Sequence, residues 1–320
     1  MQHELDFVSI RPGSMAKLLP GGLSACALLL AATVAGSDDE WIAEDPAEET
    51  LRAVDRVVGN PDPGALQRLT RVTQPPQLIA AIYRGDRTQR LTALEACGHL
   101  GDPWPVLPYL AAVMGASERQ AASRATEALL SDLARESSSP DRATDLVPGQ
   151  AVQLVEQLAG IAGDPRLDPD VRVSALSAIG NVQAIDGRPH PPSLALLADP
   201  EAAVRGGALA LLSPPLADSQ LEPVAEMATG DSSWVLRGQA AGLLCENALS
   251  HGVTAPSPDL RKLLSSVVAN PAAPPEGIAP VLGCLARFSP ASRADLVDAA
   301  MRHESPQVKG FWEELIGESP

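Results

Sequence analysis

The segment Asp168–Val182, Asp-Pro-Asp-Val-Arg-Val-Ser-Ala-Leu-Ser-Ala-Ile-Gly-Asn-Val, recurs in weaker form along most of the chain, and this recurrence constrains the fold more than any other feature. Asp168 suits a helix N-cap, where its carboxylate accepts from an N–H that has no partner inside the helix. Pro169 suits the first helical position, where its missing N–H costs nothing. Val171, Ala175, Leu176, Ile179 and Val182 then fall on one apolar stripe. A single helix has nowhere to bury such a stripe, so its repetition predicts stacked helix pairs that share a continuous core.

Composition points the same way. Aromatic residues make up only 3% of the chain, while Ala and Leu dominate and 30 prolines separate the apolar runs. That pattern suits many short, closely packed helices. Alternating Val, Ile and Thr runs bounded by hairpin turns do not occur, which favours an all-α fold. The formal charge of −16 comes from 40 acidic against 24 basic side chains, and only Lys17, Lys262 and Lys309 are lysines. Such a surface disfavours nucleic acid as a partner, because that binding depends on basic groups releasing phosphate counterions.

The stretch from Met1 to Ser14 shows no helical or strand period, and Met15 is an alternative start to Met1. Lys17 is followed by an apolar stretch from Leu18 to Ala35, the small residues Thr33, Ala35 and Gly36, and the acidic run Ser-Asp-Asp-Glu at 37–40. This is the signature of a secretory signal peptide cleaved near Ala35 or Gly36. Leu23-Ser-Ala-Cys26 offers a lipoprotein alternative in which Cys26 is lipidated, and an uncleaved anchor is a third. The expected layout is residues 1–36 as an N-terminal extension plus signal peptide, 37–46 as an acidic linker and 47–320 as the repeat domain. No membrane span is expected after cleavage, and the expected location is periplasmic or secreted.

Helices are expected from Ala47 to Val58, Gly64 to Thr73 and Pro76 to Tyr83. The reference unit then recurs, with Asp86/Arg90, Asp168/Arg172, Glu201/Arg205 and Ser233/Arg237 in register, Ala-Leu or Ala-Ala following each Arg, a looser copy around Arg119 and a last copy in which Lys309 replaces Arg. The intervals from Arg172 to Arg205 and from Arg205 to Arg237 are nearly equal, and each has room for helix, turn, helix, turn. These residues resemble the second helix of HEAT-type repeats, including the shorter HEAT-like variety of bacterial proteins. The resemblance covers residues 64–317 and implies a right-handed α-solenoid of about seven stacked helix pairs. First helices are expected at Pro103–Met114, Gly149–Ala162, Pro191–Ala198, Leu221–Thr229, Pro258–Ala269 and Pro290–His303. A loop containing Ser137–Asp141 interrupts the rhythm, and the unit from Pro271 to Phe288 is degenerate.

No reactive constellation accompanies the repeats. The five histidines have no metal-ligand spacing, and the Gly-x-Ser-x-Gly, phosphate-loop and dinucleotide-binding motifs are absent, so no catalytic residue, cofactor or metal is assigned. A catalytic group is needed once, whereas the Arg recurs. Arg90, Arg172, Arg205, Arg237 and Lys309 are therefore read as a structural ladder, each bonding a carboxylate or exposed carbonyl of a neighbouring turn. Laying Ala240–Leu249 on Ala279–Phe288 aligns Cys245 with Cys284, a disulfide candidate if both face one seam. Cys97 is expected to stay reduced and buried. Trp104 and Trp234 suit packing between units; Phe311 and Trp312 in the last helix are either a capping contact or an exposed partner contact. The functional expectation is an exported, non-catalytic scaffold that binds a protein partner of unknown identity. The alternatives are a HEAT-like enzyme or cofactor-lyase-type protein, as the resemblance allows, and a passive envelope component.

Overall fold

The structure, a computed structural model, describes residues 46–58, 63–100, 104–137, 148–289 and, with gaps at 299 and 304, 298–317. The export segment, Cys26 and the acidic linker up to Asp45 lie outside the described residues, as does the loop around Ser138–Asp141. Everything described is helix, turn or loop, and no strand occurs among the described residues. The α-helices are α1 (Pro46–Val58), α2 (Pro63–Val72), α3 (Pro75–Arg84), α4 (Arg87–Cys97), α5 (Leu107–Ala116), α6 (Arg119–Ser137), α7 (Pro148–Gly163) and α8 (Pro169–Asp186). They continue with α9 (Ala202–Ala210), α10 (Asp218–Gly230), α11 (Trp234–Ser250), α12 (Pro258–Val268), α13 (Pro275–Ala286) and α14 (Pro306–Gly317).

Helix α8 shows how the repeated segment makes its element. The Asp168 carboxylate accepts from the Asp170 N–H at 2.9 Å, Pro169 opens the helix, and Gly187 closes it at φ +66°, a left-handed conformation that costs a residue without a Cβ little. All five stripe residues, Val171, Ala175, Leu176, Ile179 and Val182, are buried. At α4 the Asp86 carboxylate accepts from the Gln89 N–H at 2.9 Å while the Gln89 side chain accepts from the Asp86 N–H at 2.8 Å, a reciprocal cap.

Between Pro191 and Ala198 the expected α-helix is replaced by a 3-10 turn over Leu194–Ala198. Pro191 and Pro192 lack N–H groups and push the residue before each of them out of the helical region, so too few residues remain for an α-helix. The other expected first helices inside the described residues match α5, α7, α10 and α12 to within a few residues.

Buried apolar side chains form one cluster from Val54 in α1 to Val308 in α14. The substantial contacts among described elements join helices close in chain order, as in α3 with α4, α5 with α6, α6 with α8, α8 with α9 and α11 with α13. Small residues bring several of these helices together. A Cβ on Gly207 of α9 would lie 3.0 Å from Leu176 of α8, and one on Gly206 would lie 3.2 Å from Leu236 of α11. The closest approach is between α11 and α13, where a Cβ on Gly238 would sit 1.5 Å from the Gly277 carbonyl oxygen.

Candidate interaction face

The recurring arginines are placed by the N-terminal turns of α4, α8, α9 and α11. Arg172 on α8 donates from Nε to the Ala162 carbonyl at 2.8 Å, from Nη1 to Asp199 Oδ1 at 3.3 Å, and from Nη2 to Asp199 Oδ2. Arg205 on α9 donates from Nε and Nη2 to Asp231 at 2.7 and 2.9 Å, a bidentate pair, and from Nη1 to the Asp199 carbonyl at 2.8 Å. Arg237 on α11 donates to the Asp231 carbonyl and lies 4.2 Å from the centroid of the Trp234 ring. Each Asp thus accepts through its carboxylate from the Arg of the preceding unit and through its carbonyl from the Arg of its own. Arg172, Asp199, Arg205, Asp231 and Arg237 form one continuous buried or half-buried relay.

Arg90 repeats the geometry apart from this run, donating to the Gly85 carbonyl at 2.9 Å and to Glu118 Oε1 at 3.2 Å. Lys309 is half-buried on α14, and among the described residues it makes no ion pair like those of the arginines. A primary amine on a flexible stem lacks the planar fork that lets arginine bond two groups at once. The degenerate unit breaks the relay in another way. Asn270 stands before α13 as Asp231 stands before α11, with Asn270 Oδ1 accepting from the Ala272 N–H at 2.9 Å, but an amide supplies no charge.

Alignment of the repeats does not pick out the acceptors. It pairs Glu201 with Ser233 as leading residues, yet Glu201 makes no side-chain cap; Asp199 accepts from the Glu201 N–H at 3.0 Å and Asp231 from the Ser233 N–H at 2.7 Å. The available signal was the Asp that precedes Arg205 and Arg237 at the same offset, Asp199 and Asp231.

Burial pushes the Asp199 carboxyl up, but hydrogen bonds from Arg172 and the Glu201 N–H, with the charges of Arg172 and Arg205, outweigh it and hold the group below the ordinary carboxylate range. Asp231 behaves likewise: burial raises it, and hydrogen bonds from Arg205 and the Ser233 N–H, with the charges of Arg205 and Arg237, bring it down. A carboxyl depressed in the folded state contributes stability that is fully present above its unfolded pKa, about 4, and is lost as the pH falls through the folded value. Urea unfolding followed downward from about pH 6 should therefore show the wild-type midpoint dropping below about pH 4. The Asp199→Asn/Asp231→Asn protein should start less stable and fall less; parallel profiles would remove these two groups as a source of acid sensitivity.

On the same second helices an open groove of about 710 Å³ runs along α9 and α11 to α13. Ala203, Gly206 and Ala210 line it from α9, at spacings of three and four, and Gln239, Leu243 and Glu246 line it from α11 in the same rhythm, with Pro280 of α13 at one side. Glu246 is tied to Arg287 at the end of α13 by an ion pair. The groove is mostly apolar, with Ser233, Gln239 and Glu246 as its polar groups.

Cys245 and Cys284 are brought together across the α11–α13 seam as a disulfide with Cα atoms 6.1 Å apart. That spacing lies within the range of about 4.4–6.8 Å that a disulfide bridges. Two turns earlier on each helix Gly238 meets Gly277 on the same face, where neither has a side chain to hold the backbones apart. Cys97 is a free, buried thiol whose pKa burial pushes up to about 12. Trp104 and Trp234 are half-buried and pack against the core. The side chains of Phe311 and Trp312 lie outside the described residues; α14 carries both.

Among the described residues no group of three or more His, Cys, Asp and Glu side chains is placed to hold a metal ion, and no helix is long and apolar enough to cross a membrane. No protein-family model matches the chain. No curated protein matches it either.

Proposed function

We propose that this chain is a HEAT-like α-solenoid of about seven helix pairs that binds a protein partner along the face of its second helices and performs no catalysis of its own. The observation that carries the reading is the open groove on α9, α11 and α13, whose lining is mostly apolar with a few polar groups among it. A partner helix or extended segment gains apolar burial there, while Gln239 and Glu246 supply direction. The stacking itself is supported by contacts between helices close in chain order and by the nearly equal spacing of Arg172, Arg205 and Arg237 in the relay. A second helix in such a stack contacts both its neighbours, so the surface between successive units is long without the chain being large.

Action outside the cytoplasm is supported by two features. The apolar run after Lys17 ends in small residues, and Cys245 is bonded to Cys284, a state that persists in oxidising compartments.

The test is affinity capture from an extract of the native host, with retained proteins identified by mass spectrometry. Wild-type protein should hold a stoichiometric protein partner, and the groove variants Gln239→Arg and Ala203→Trp, both at exposed positions, should lose it while melting normally. A partner held equally by all three proteins would sink the groove as the binding face. Turnover of a small molecule with no captured protein would replace the reading with the HEAT-like enzyme.

A further inference from the structure

The formal charge of −16 is unevenly spread. Residues 46–90 hold seven arginines against five acidic side chains, a net +2, so the remainder totals −18. Arg52, Arg56, Arg68, Arg71, Arg84 and Arg87 are all exposed on α1–α4 or the turns between them, with Arg87 also 3.9 Å from the Glu118 carboxylate. Arg52 and Arg56 are four apart on α1, one above the other on the same side. Asp55, between them, accepts from the Gln89 side chain of α4 at 2.8 Å, which sets the α1 pair beside the first turn of α4 where Arg87 stands.

The same corner carries both tyrosines of the chain. Tyr83, immediately before Arg84, is 58% exposed, and its ring meets that of Tyr109 edge to face with centroids 6.3 Å apart; Tyr109 is 37% exposed. Partial burial and the neighbouring Tyr109 raise the Tyr83 phenol above its ordinary value, so at neutral pH it remains a hydrogen-bond donor. Tyrosine and arginine are the residues that most often anchor interfaces, since each offers a large contact area with a polar end.

We propose that the α3–α4 corner, centred on Tyr83, Tyr109, Arg84 and Arg87 with Arg52 and Arg56 beside it, is a second docking surface that takes an acidic segment of a partner protein. Its electrostatics are opposite to those of the rest of the chain, so it selects a partner that the acidic remainder repels. A phenol and guanidinium groups donate to carboxylates, and the tyrosine rings cover apolar side chains interspersed among them. A nucleic acid fits less well. Its charges repeat at short, regular intervals along the whole duplex, so it extends past the patch onto an acidic surface, whereas a short acidic segment confines its charge to the corner. The surface is separate from the α9–α11–α13 groove and does not depend on what the groove binds.

Fluorescence anisotropy of a short labelled Glu/Asp-rich peptide containing leucine, titrated with the full chain, tests this. The expected result is saturable binding that weakens steeply as salt rises, because the charges involved are exposed. Arg84→Glu/Arg87→Glu should weaken it about tenfold or more, and Tyr83→Ser should weaken it separately, with far-UV circular dichroism and melting temperature retained. Gln239→Arg should leave peptide binding unchanged, which separates failure of this surface from failure of the groove. Absence of binding, or equal binding by charge-reversed and wild-type protein, overturns the proposal. So does tighter binding of single-stranded DNA or of phosphatidylglycerol vesicles than of the peptide. Should the double variant not fold, Tyr83→Ser and Arg56→Glu decide alone, and unchanged affinity in both overturns it.

Discussion

Gly238→Ala is expected to destabilise the protein by more than about 4 kcal/mol, an exceptional loss that follows here from packing with no room to relax. The added methyl group would lie 1.5 Å from the Gly277 carbonyl oxygen and 2.4 Å from its carbon, both backbone atoms of α13. No rotamer change relieves such a clash, so α11 and α13 must move apart. Moving them also strains the seam around Gly242, whose own Cβ position is 2.8 Å from Pro280, and pulls on the Cys245–Cys284 bond one to two turns further on. Removing the bond by Cys245→Ser/Cys284→Ser should cost less, about 2–4 kcal/mol, because it frees the unfolded chain while the helices keep their contact. Gly283→Ala on the same α13 is the control. Nothing lies within 4 Å of its added Cβ, so lower chain entropy in the unfolded state should stabilise the protein by about 0.4–1 kcal/mol. Urea midpoints of the variants decide the matter. A cost at Gly238 below about 1 kcal/mol would mean that the two helices are not in backbone contact.

Cutting the buried relay is expected to have the second largest effect. Asp231→Ala leaves the Arg205 guanidinium, 10% exposed, with carbonyl and hydroxyl partners but no carboxylate bonded to it, at a cost of about 3–5 kcal/mol. Arg205→Ala should cost a similar amount by stranding Asp231, whose side chain is 3% exposed. The double replacement Arg205→Met/Asp231→Leu should recover most of the loss, since apolar side chains of similar volume pay no desolvation cost for a charge. By contrast, Arg166→Ala breaks a pair with Asp164 that stands in solvent, and the melting temperature should hardly move. Hydrogen exchange adds a spatial test. Loss of the Asp231 carboxylate should lower protection in α9 and α11 together, because it accepts from Arg205 of α9 and from the Ser233 N–H at the start of α11. Protection lost only around residue 231 would show that the relay does not couple successive units.

Much of this architecture can be read from residue order because its causes are local. Asp168, Pro169 and Gly187 set the bounds of α8 through capping, fixed φ and a left-handed close, and none of these needs another helix. The stripe from Val171 to Val182 follows from the helical period, and the nearly equal intervals between Arg172, Arg205 and Arg237 mark it as a packing element. Pro191 and Pro192 show how a local rule is missed: the apolar Leu194–Ala198 run reads as a helix until the two prolines before it are counted against the length left.

Residue order alone specifies the all-helical class, the bounds of most helices, the faces that must be buried and the identity of the laddered arginines. Their partners are set by how the helices pack in three dimensions. Asp199 and Asp231 lie 27 and 26 residues beyond the arginines they pair with, a distance along the chain at which no periodicity specifies contact. The same holds for the seam where Gly238 meets Gly277 and for the corner where Tyr83 meets Tyr109. Helix period says which side of a helix is apolar; how closely two helices approach depends on side-chain volumes summed over both, and which charges meet depends on the turns between them.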